Sequence, residues 1–130
     1  MQLHHVQVCI PLGGEERARR FYGDALGLTE VDKPEELRGR GGCWFRAYDD
    51  SGSVSAEIHV GVEEPFHPAR KAHPALLVGA VAVLDALAER LAARGFEVDH
   101  SQRRTFPPYA RLHCVDGHGN RVELLAVTDG

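Results

Sequence analysis

Apolar and polar residues alternate along several short segments, which is the pattern of β-strands with one packed face. In the first segment, Val6, Val8 and Ile10 fall on one face, and His5 falls on the other. A second histidine, His73, opens a similar segment later in the chain. Alternation or a short apolar run predicts further strands over residues 28–31, 42–48, 54–62, 96–98, 109–115 and 121–127.

Two segments show helical periodicity instead. From Gly14 to Leu26, apolar residues recur every three or four positions, and Gly27 suits the position just after a helix end. From Val81 to Arg94 a second apolar stripe recurs, and it stops at Gly95. We therefore predict one amphipathic helix in each segment.

These elements form an internal repeat of low residue identity. His5 and His73 each precede a helix-ending glycine by 22 positions. Each half then continues with a short strand, a polar loop and two strands joined by a tight turn, over 49–53 and 116–120. The repeat predicts two βαβββ modules of an α+β fold in a single domain over residues 1–130. Module 1 covers about 1–64, a Pro-rich linker about 65–71, and module 2 about 72–130.

Composition excludes several classes of function. The formal net charge of -4 gives no broad basic surface for nucleic acid, and no apolar run approaches the roughly 18 residues of a membrane span. The N-terminus shows no secretion leader. The three cysteines lack C-x-x-C spacing and lie in apolar runs, which favours reduced thiols in a cytoplasmic protein.

Candidate chemistry lies on the polar faces of the first and last strands of each module. On strand 54–62 the apolar residues alternate with a face that carries His59, and on strand 121–127 the corresponding face carries Glu123. If each module forms a curved sheet with its helix outside, these two side chains could converge with His5 and His73. We therefore take His5, His59, His73 and Glu123 as candidate metal ligands.

Three imidazoles and one carboxylate suit a single divalent ion of borderline character, such as Zn, Fe, Mn, Co or Ni. Fewer than six protein ligands leave coordination positions for water or substrate, as catalysis requires. The ion would polarise a substrate oxygen or lower the pKa of bound water. Glu123 is also a candidate catalytic proton acceptor.

Alternative interpretations stay open for these residues. A single histidine on a strand is commonly a surface or hydrogen-bonded core residue, and Glu57 shares the face of His59 and competes with it for the fourth position. His4 points to the opposite face from His5 and is interpreted as structural. The remaining histidines are given no role: His67, His100, His113 and His118. For His113, the pattern does not determine which face of the strand carries the side chain.

Trp44 and Arg111 are candidate substrate contacts, because they occupy matching places on strands 42–48 and 109–115. Arg111 could bind an anionic substrate. A surface or dimer-contact role is the alternative for both side chains. The arginines of loops 33–41 and 101–108 are assigned no role.

Three segments resemble the vicinal oxygen chelate superfamily, which contains glyoxalases, bleomycin resistance proteins and extradiol dioxygenases. They are His4–Pro11, Ala18–Leu28 and Asp116–Leu124; the second is similar to the family's FY-x-x-x-LGL helix end and the third to its D-x-x-GN-x-x-E strand. The resemblance implies a curved mixed-sheet cup with helices outside, the glyoxalase-like fold. It also implies a homodimer, and a metal that takes one ligand from the first and last strand of each module.

The implied function is that of a divalent-metal-dependent, glyoxalase-like enzyme of isomerase or lyase type. It would act on a small oxygenated metabolite through a metal-stabilised oxyanion. The alternatives are a small-molecule binding or antibiotic-resistance protein without catalysis, or a dioxygenase. Glyoxalase I usually carries Glu where this chain has His59, so the choice between His59 and Glu57 bears on that reaction.

Overall fold

A computed structural model describes residues 1–129, which fold as two compact units. The first unit is Met1–Pro68 and the second begins at Ala69, within the segment predicted as a linker. Each unit contains one four-stranded sheet and one principal helix. The α+β class and the repeated βαβββ order are confirmed. No helix in the described part of the chain has the length and apolar character that crossing a membrane requires.

In the first unit the sheet has the order β1-β4-β3-β2. Strands β1 and β4 run parallel, and the other neighbours are antiparallel. Residues 33–41, predicted as a loop, include a 3₁₀ turn over Glu35–Arg40. The elements in chain order are β1 (Val6–Ile10), α1 (Glu15–Ala18, continued by a π-helical segment over Arg19–Ala25), β2 (Thr29–Val31), β3 (Cys43–Tyr48) and β4 (Val54–Val62).

The second unit repeats this topology with the order β5-β8-β7-β6. Strands β5 and β8 are parallel, and β6, β7 and β8 are antiparallel neighbours. The elements are β5 (Ala75–Leu77), α2 (Val81–Ala93), β6 (Val98–Asp99), β7 (Tyr109–Val115) and β8 (Arg121–Val127). The repeat identified in the sequence is therefore a repeat of structure.

One face of each sheet packs against its own unit's helix or core, and this leaves the other face for polar residues. In the first unit Ile10, Phe21 and Phe45 are fully buried, and in the second Leu84 and Leu112 are. Burying an apolar side chain of this size contributes about 1.5–3 kcal/mol. Because side chains alternate along a strand, this packing also determines which residues face the other side.

Glycine allows both helices to end where the sequence predicts. Gly27 and Gly95 have φ of 80° and 85°, in the left-handed region that other residues adopt at a cost. The Leu28 amide then donates to the Tyr22 carbonyl oxygen at 3.0 Å, and the Phe96 amide donates to that of Leu91 at 2.9 Å. These bonds satisfy carbonyl groups at the helix ends and direct the chain into the next strand.

The two C-terminal hairpins differ by one residue. Both turns close in the same way, with Asp49 N–H donating to the Ser53 oxygen and Asp116 N–H to the Asn120 oxygen, each at 2.9 Å. The β7–β8 ladder then runs without interruption, whereas the β3–β4 ladder contains a bulge at which Ser55 has no counterpart. Relative to β3, every β4 residue after the bulge is therefore one position further along the chain than its counterpart in β8.

Candidate metal centre

In the second unit, three potential donors lie together on one face of the sheet. Glu123 of β8 is directly opposite His113 of β7, and His73 precedes β5, which is the other neighbour of β8. The Nε2 atom of His73 lies 2.9 Å from Glu123 Oε1, and that of His113 lies 3.3 Å from the same oxygen. Within residues 1–129, this is the one group of three such residues whose donor atoms all lie within 4.8 Å of one another.

The contacts of His73 fix the orientation of its ring. Its Nδ1 lies 2.7 Å from the carbonyl oxygen of Lys71, and a carbonyl oxygen can only accept. Nδ1 therefore carries a proton, and Nε2 is the ring nitrogen that faces Glu123 Oε1. A proton or a cation lies between Nε2 and Oε1, which are 2.9 Å apart. An outer N–H held by a backbone carbonyl is also the usual second contact of a metal-binding histidine.

Glu123 is a buried carboxylate whose contacts favour its charged form. Only 4% of the residue is exposed. Burial opposes ionisation, but the contact with His73 and the positive charge of Arg111, whose Nη1 lies 3.5 Å from Oε1, outweigh it and lower the Glu123 pKa. All its hydrogen-bonding contacts within residues 1–129 are made by Oε1. The Oε2 atom is therefore available for a ligand.

His113 is the residue that the sequence pattern missed. It is 5% exposed, and its Nδ1 is the one buried side-chain nitrogen or oxygen among residues 1–129 with no hydrogen-bond partner. Burial lowers the pKa of His113, so its ring is neutral at pH 7, and Nε2–H donates to Glu123. Counting back from the turn at 116–120 would have identified the pairing, because an uninterrupted ladder places residue 113 opposite 123.

In the first unit, His5 and His59 are together but are stacked. Their ring centroids are 3.9 Å apart with planes 18° from parallel, and Trp44 stacks on His59 at 3.6 Å and 2°. A metal lies in the plane of each imidazole that binds it, at about 2.0–2.1 Å from nitrogen. Two rings so close to parallel meet this condition for one ion only after one of them rotates.

Glu57 joins the same group through two hydrogen bonds. Its Oε2 lies 2.6 Å from His59 Nε2, and its Oε1 accepts from Arg46 Nε at 2.8 Å. Burial lowers the pKa of His59 and keeps the ring neutral, so Nε2–H is the donor. Burial disfavours the charged form of Glu57, but its contacts with His59 and Arg46 dominate and lower its pKa. Both carboxylate oxygens of Glu57 therefore have donors.

Strand pairing in the two units shows which β4 residue, Glu57 or His59, corresponds to Glu123 of β8. Arg46 is opposite Glu57, and the residue at the matching place of β7, His113, is opposite Glu123. Relative to β3, Glu57 therefore has the place in β4 that Glu123 has in β8. Relative to the first strand of each unit the counterpart is His59, because His59 pairs with Gln7 as Glu123 pairs with Ala75, and Gln7 and Ala75 each lie two residues after the histidine that opens the unit. The two ladders give different counterparts, and the choice between His59 and Glu57 as the fourth ligand stays a prediction.

The predicted substrate contacts have partners of their own. Trp44 stacks on His59, as described above. Arg111 Nη2 donates to Thr105 Oγ1 at 2.7 Å, its Nε donates to the Gln102 oxygen at 3.3 Å, and its guanidinium carbon lies 5.6 Å from the centre of the Phe106 ring. Arg111 thus connects the 101–108 loop to Glu123. His4, interpreted as structural, has its Nδ1 2.9 Å from that of His5.

Comparison with known proteins gives a consistent family and fold. The profile described as "Glyoxalase/Bleomycin resistance protein/Dioxygenase superfamily" matches residues 2–124. A solved glyoxalase family protein from Bacillus anthracis is 42% identical, with a TM-score of 0.82, over 98% of this chain and 95% of that one. No match is found among curated proteins.

More distant solved structures share the fold. The fosfomycin resistance protein FosX of Listeria monocytogenes is 15% identical with a TM-score of 0.69, covering 100% of this chain and 94% of that one. TnmS3, an antibiotic binding protein from Streptomyces sp. CB03234, is 23% identical with a TM-score of 0.62, covering 98% of each chain. At these identities the similarity concerns the fold alone.

Proposed function

This chain belongs to the glyoxalase/bleomycin resistance protein/dioxygenase superfamily, and we propose that it is a divalent-metal-dependent enzyme of isomerase or lyase type acting on a small oxygenated metabolite. The observation that carries the proposal is the contact between His73 and Glu123. The Nδ1–H of His73 is held by Lys71, so Nε2 is the ring nitrogen that faces a carboxylate oxygen, at 2.9 Å. A divalent cation can take the place of a proton between these two atoms, and imidazole with carboxylate suits Zn, Fe, Mn, Co or Ni.

Each residue of this group has a separate role in the proposal. His73 and Glu123 would hold the ion, and the ion would act as a Lewis acid towards a substrate oxygen. His113 donates to Glu123 Oε1 and orients the carboxylate. Arg111 brings a positive charge to the same oxygen. Glu123 Oε2 is available to accept a proton from substrate, which is the catalytic role proposed for this residue.

The first unit supplies the remaining candidate ligands. His5 stays in the set, and the fourth position belongs either to His59 or to Glu57. The pairing of β4 with β3 supports Glu57, and the pairing of β4 with β1 supports His59. If Glu57 is the ligand, His59 is a positioning residue that holds it through Nε2–H. Trp44, stacked on His59, stays a candidate substrate contact through its other ring face.

Elemental analysis of protein purified without chelator tests the metal directly. We expect about one divalent ion per chain, and we expect His73→Ala to lose it. His67→Ala is the matched control, because His67 is an exposed histidine that lies outside the strands and outside the proposed site. Native protein without metal, which also fails to bind Zn, Fe, Mn, Co or Ni on reconstitution, would contradict the proposal and favour the small-molecule binding alternative.

The reaction is tested with a substrate panel on metal-reconstituted protein. The panel contains hemithioacetals, acyl-CoA epimers, fosfomycin and catechols. Turnover of a hemithioacetal or an acyl-CoA epimer would support the isomerase assignment, and turnover of fosfomycin would identify a resistance enzyme. Catechol cleavage with consumption of oxygen would replace the proposal by the dioxygenase alternative.

A homodimer is part of the same proposal. Each four-stranded sheet has open edges, with β1 and β2 at the edges of one and β5 and β6 at the edges of the other. Unpaired edge strands are commonly covered by a partner. Light scattering coupled to gel filtration should give twice the chain mass of 14.3 kDa, and a mass of one chain at all concentrations would contradict this part of the proposal.

A further inference from the structure

Arg111 lies beside Glu123 without forming a close ion pair with it. On β7 it is opposite Leu125, two residues after Glu123 on β8, and a long side chain can reach such a diagonal neighbour across a sheet. Its Nη1 nevertheless stops 3.5 Å from Glu123 Oε1, whereas a direct bond between a guanidinium and a carboxylate is about 2.7–2.9 Å long. In the first unit, by contrast, Arg46 Nε lies 2.8 Å from Glu57 Oε1. Other contacts therefore hold the Arg111 guanidinium away from its carboxylate.

The hydroxyl of Thr105 provides the closest of these contacts. Its Oγ1 accepts from Arg111 Nη2 at 2.7 Å and from Arg111 Nε at 3.2 Å. The same hydroxyl donates to the Gln102 carbonyl oxygen at 2.9 Å, and that oxygen also lies 3.3 Å from Arg111 Nε. A hydroxyl offers one donor and two lone pairs, so its hydrogen-bonding capacity is fully used. Arg111 is thus bonded more closely to a loop threonine than to the nearby carboxylate.

The 101–108 loop, which carries this threonine, is attached to the rest of the second unit by separate bonds. Arg103 Nη2 lies 2.8 Å from Asp85 Oδ1 of α2, and Thr128 Oγ1 donates to the Pro108 carbonyl oxygen at 2.8 Å. Neither contact involves the Arg111 guanidinium. The threonine hydroxyl is therefore presented from a loop that other bonds hold in place, as a restraint on the arginine requires.

The distance between Arg111 and Glu123 matters because a guanidinium and a divalent cation compete for the same carboxylate. A direct pair would occupy a carboxylate oxygen with an N–H donor and would bring a positive charge closer to the ion, and repulsion between like charges increases as they approach. At 3.5 Å, Nη1 faces Oε1 only, and Oε2 stays available. The restraint therefore favours binding of a cation by Glu123.

We propose that Thr105 is a positioning residue that acts through Arg111: it keeps the guanidinium from pairing with Glu123 and so preserves the carboxylate for a divalent cation. The part of this inference that concerns the cation rests on the proposed function. The restraint itself is a property of the metal-free protein, and it gives a role to a loop residue that no sequence pattern singled out.

The restraint is tested first in metal-free protein kept in chelator. Thr105→Val keeps the shape of the side chain and removes the hydroxyl, so the guanidinium should move onto Glu123. In ¹H–¹⁵N spectra of the arginine side chains, the Arg111 Nε–H signal should shift in Thr105→Val and stay near its native position in Thr105→Ser. Adding Glu123→Gln should then move this signal much more in the Thr105→Val background than in the native one. A response of the same size in both backgrounds would overturn the inference.

The consequence for the ion is measured as zinc affinity by titration calorimetry. Thr105→Val should weaken binding by about tenfold, the lower end of the effect of losing a contact behind a metal ligand, and Thr105→Ser should bind as the native protein does. Thr128→Val is the matched control, because it removes a threonine bond to the same loop without removing any bond of Arg111. In an Arg111→Gln background, Thr105→Val should have no further effect. Native affinity in Thr105→Val, or an equal loss in both backgrounds, would contradict the role of Thr105.

The two measurements separate this inference from the proposed function. If the native protein binds no zinc, the proposed function fails, and the spectra of metal-free protein still decide whether Thr105 restrains Arg111. If zinc binds tightly and Thr105→Val leaves its affinity unchanged, the metal proposal stands and the role of Thr105 is wrong.

Discussion

The C-terminal hairpins of the two units each carry a glutamate at a matching place relative to the antiparallel neighbour, and the two carboxylates differ in how their oxygens are bonded. In β3–β4, both oxygens of Glu57 accept from donors, Arg46 and His59. In β7–β8, all hydrogen-bonding contacts of Glu123 are made by one oxygen, and His73 Nε2 lies 2.9 Å from it. In one half of the fold both carboxylate oxygens are thus bonded to donors, and in the other a carboxylate and an imidazole face each other with one carboxylate oxygen left over for a cation.

The difference originates in the neighbouring side chains, since both glutamates face a matching position of the antiparallel strand. Opposite Glu57 stands Arg46, whose Nε donates to the carboxylate at 2.8 Å. Opposite Glu123 stands His113, which is neutral because burial lowers its pKa, and the guanidinium of Arg111 is farther from the carboxylate, with Nη1 at 3.5 Å. A permanent guanidinium reduces the attraction of a carboxylate for a metal ion. The comparison therefore assigns the stronger metal affinity to the second unit.

The largest expected effect comes from exchanging the carboxylates for amides. Glu123→Gln should weaken binding of Zn or Mn by more than the roughly 10–100-fold that loss of an outer-shell contact causes. Glu57→Gln should weaken it less, because Arg46 already engages Glu57. Titration calorimetry of the two variants measures the comparison. Equal losses would mean that both carboxylates bind the ion alike, and a larger loss for Glu57→Gln would assign the stronger metal affinity to the first unit.

A smaller effect is expected from His113→Phe, which keeps the ring and removes both nitrogens. The carboxylate of Glu123 would lose one of its donors, and metal affinity should fall within about 10–100-fold. Since Nδ1 is unsatisfied in the native protein, thermal stability without metal should fall little or rise. A variant that binds metal as tightly as the native protein would remove His113 from the site.

The hairpin turns offer a matched pair of substitutions for stability. Asp116 Oδ1 accepts the backbone N–H groups of His118 and Asn120, and Oδ2 accepts from the Asn120 side chain, all in a buried setting. Asp116→Ala should therefore cost about 1–3 kcal/mol. Asp49 makes analogous bonds in an exposed turn, so Asp49→Ala should cost less. Chemical denaturation of both variants gives the two values, and the reverse order would contradict this reading of the turns.

Deletion of Ser55 should have the smallest effect. The residue is the extra one in the β4 bulge, and the pairs on either side, Tyr48 with Val54 and Ala47 with Ala56, can join without a change in register. Glu57 would stay opposite Arg46, and the backbone signals of residues 57–62 should move little. Large shifts there would show that the bulge determines the position of Glu57.

Most of the secondary structure could be predicted from the sequence, whereas only part of the site could. Strands 54–62, 109–115 and 121–127 have their predicted bounds, because a packed face enforces strict alternation. The bulge at Ser55 was not predictable, since an extra residue near a turn leaves the apolar pattern on either side intact. His113 was missed because its importance depends on the partner strand, and no local pattern reports a cross-strand neighbour.

The central claim concerns a single nitrogen, His73 Nε2, and histidine ¹⁵N spectra observe it directly. Long-range correlations on protein labelled in its histidine rings report the protonation of each nitrogen, before and after addition of one equivalent of Zn²⁺. We predict that His73 Nδ1 keeps its proton and that the Nε2 signal moves to the position of a metal-bound nitrogen. If both His73 nitrogens are protonated at neutral pH and remain so when zinc is added, the pair with Glu123 is a simple ion pair and the account is wrong.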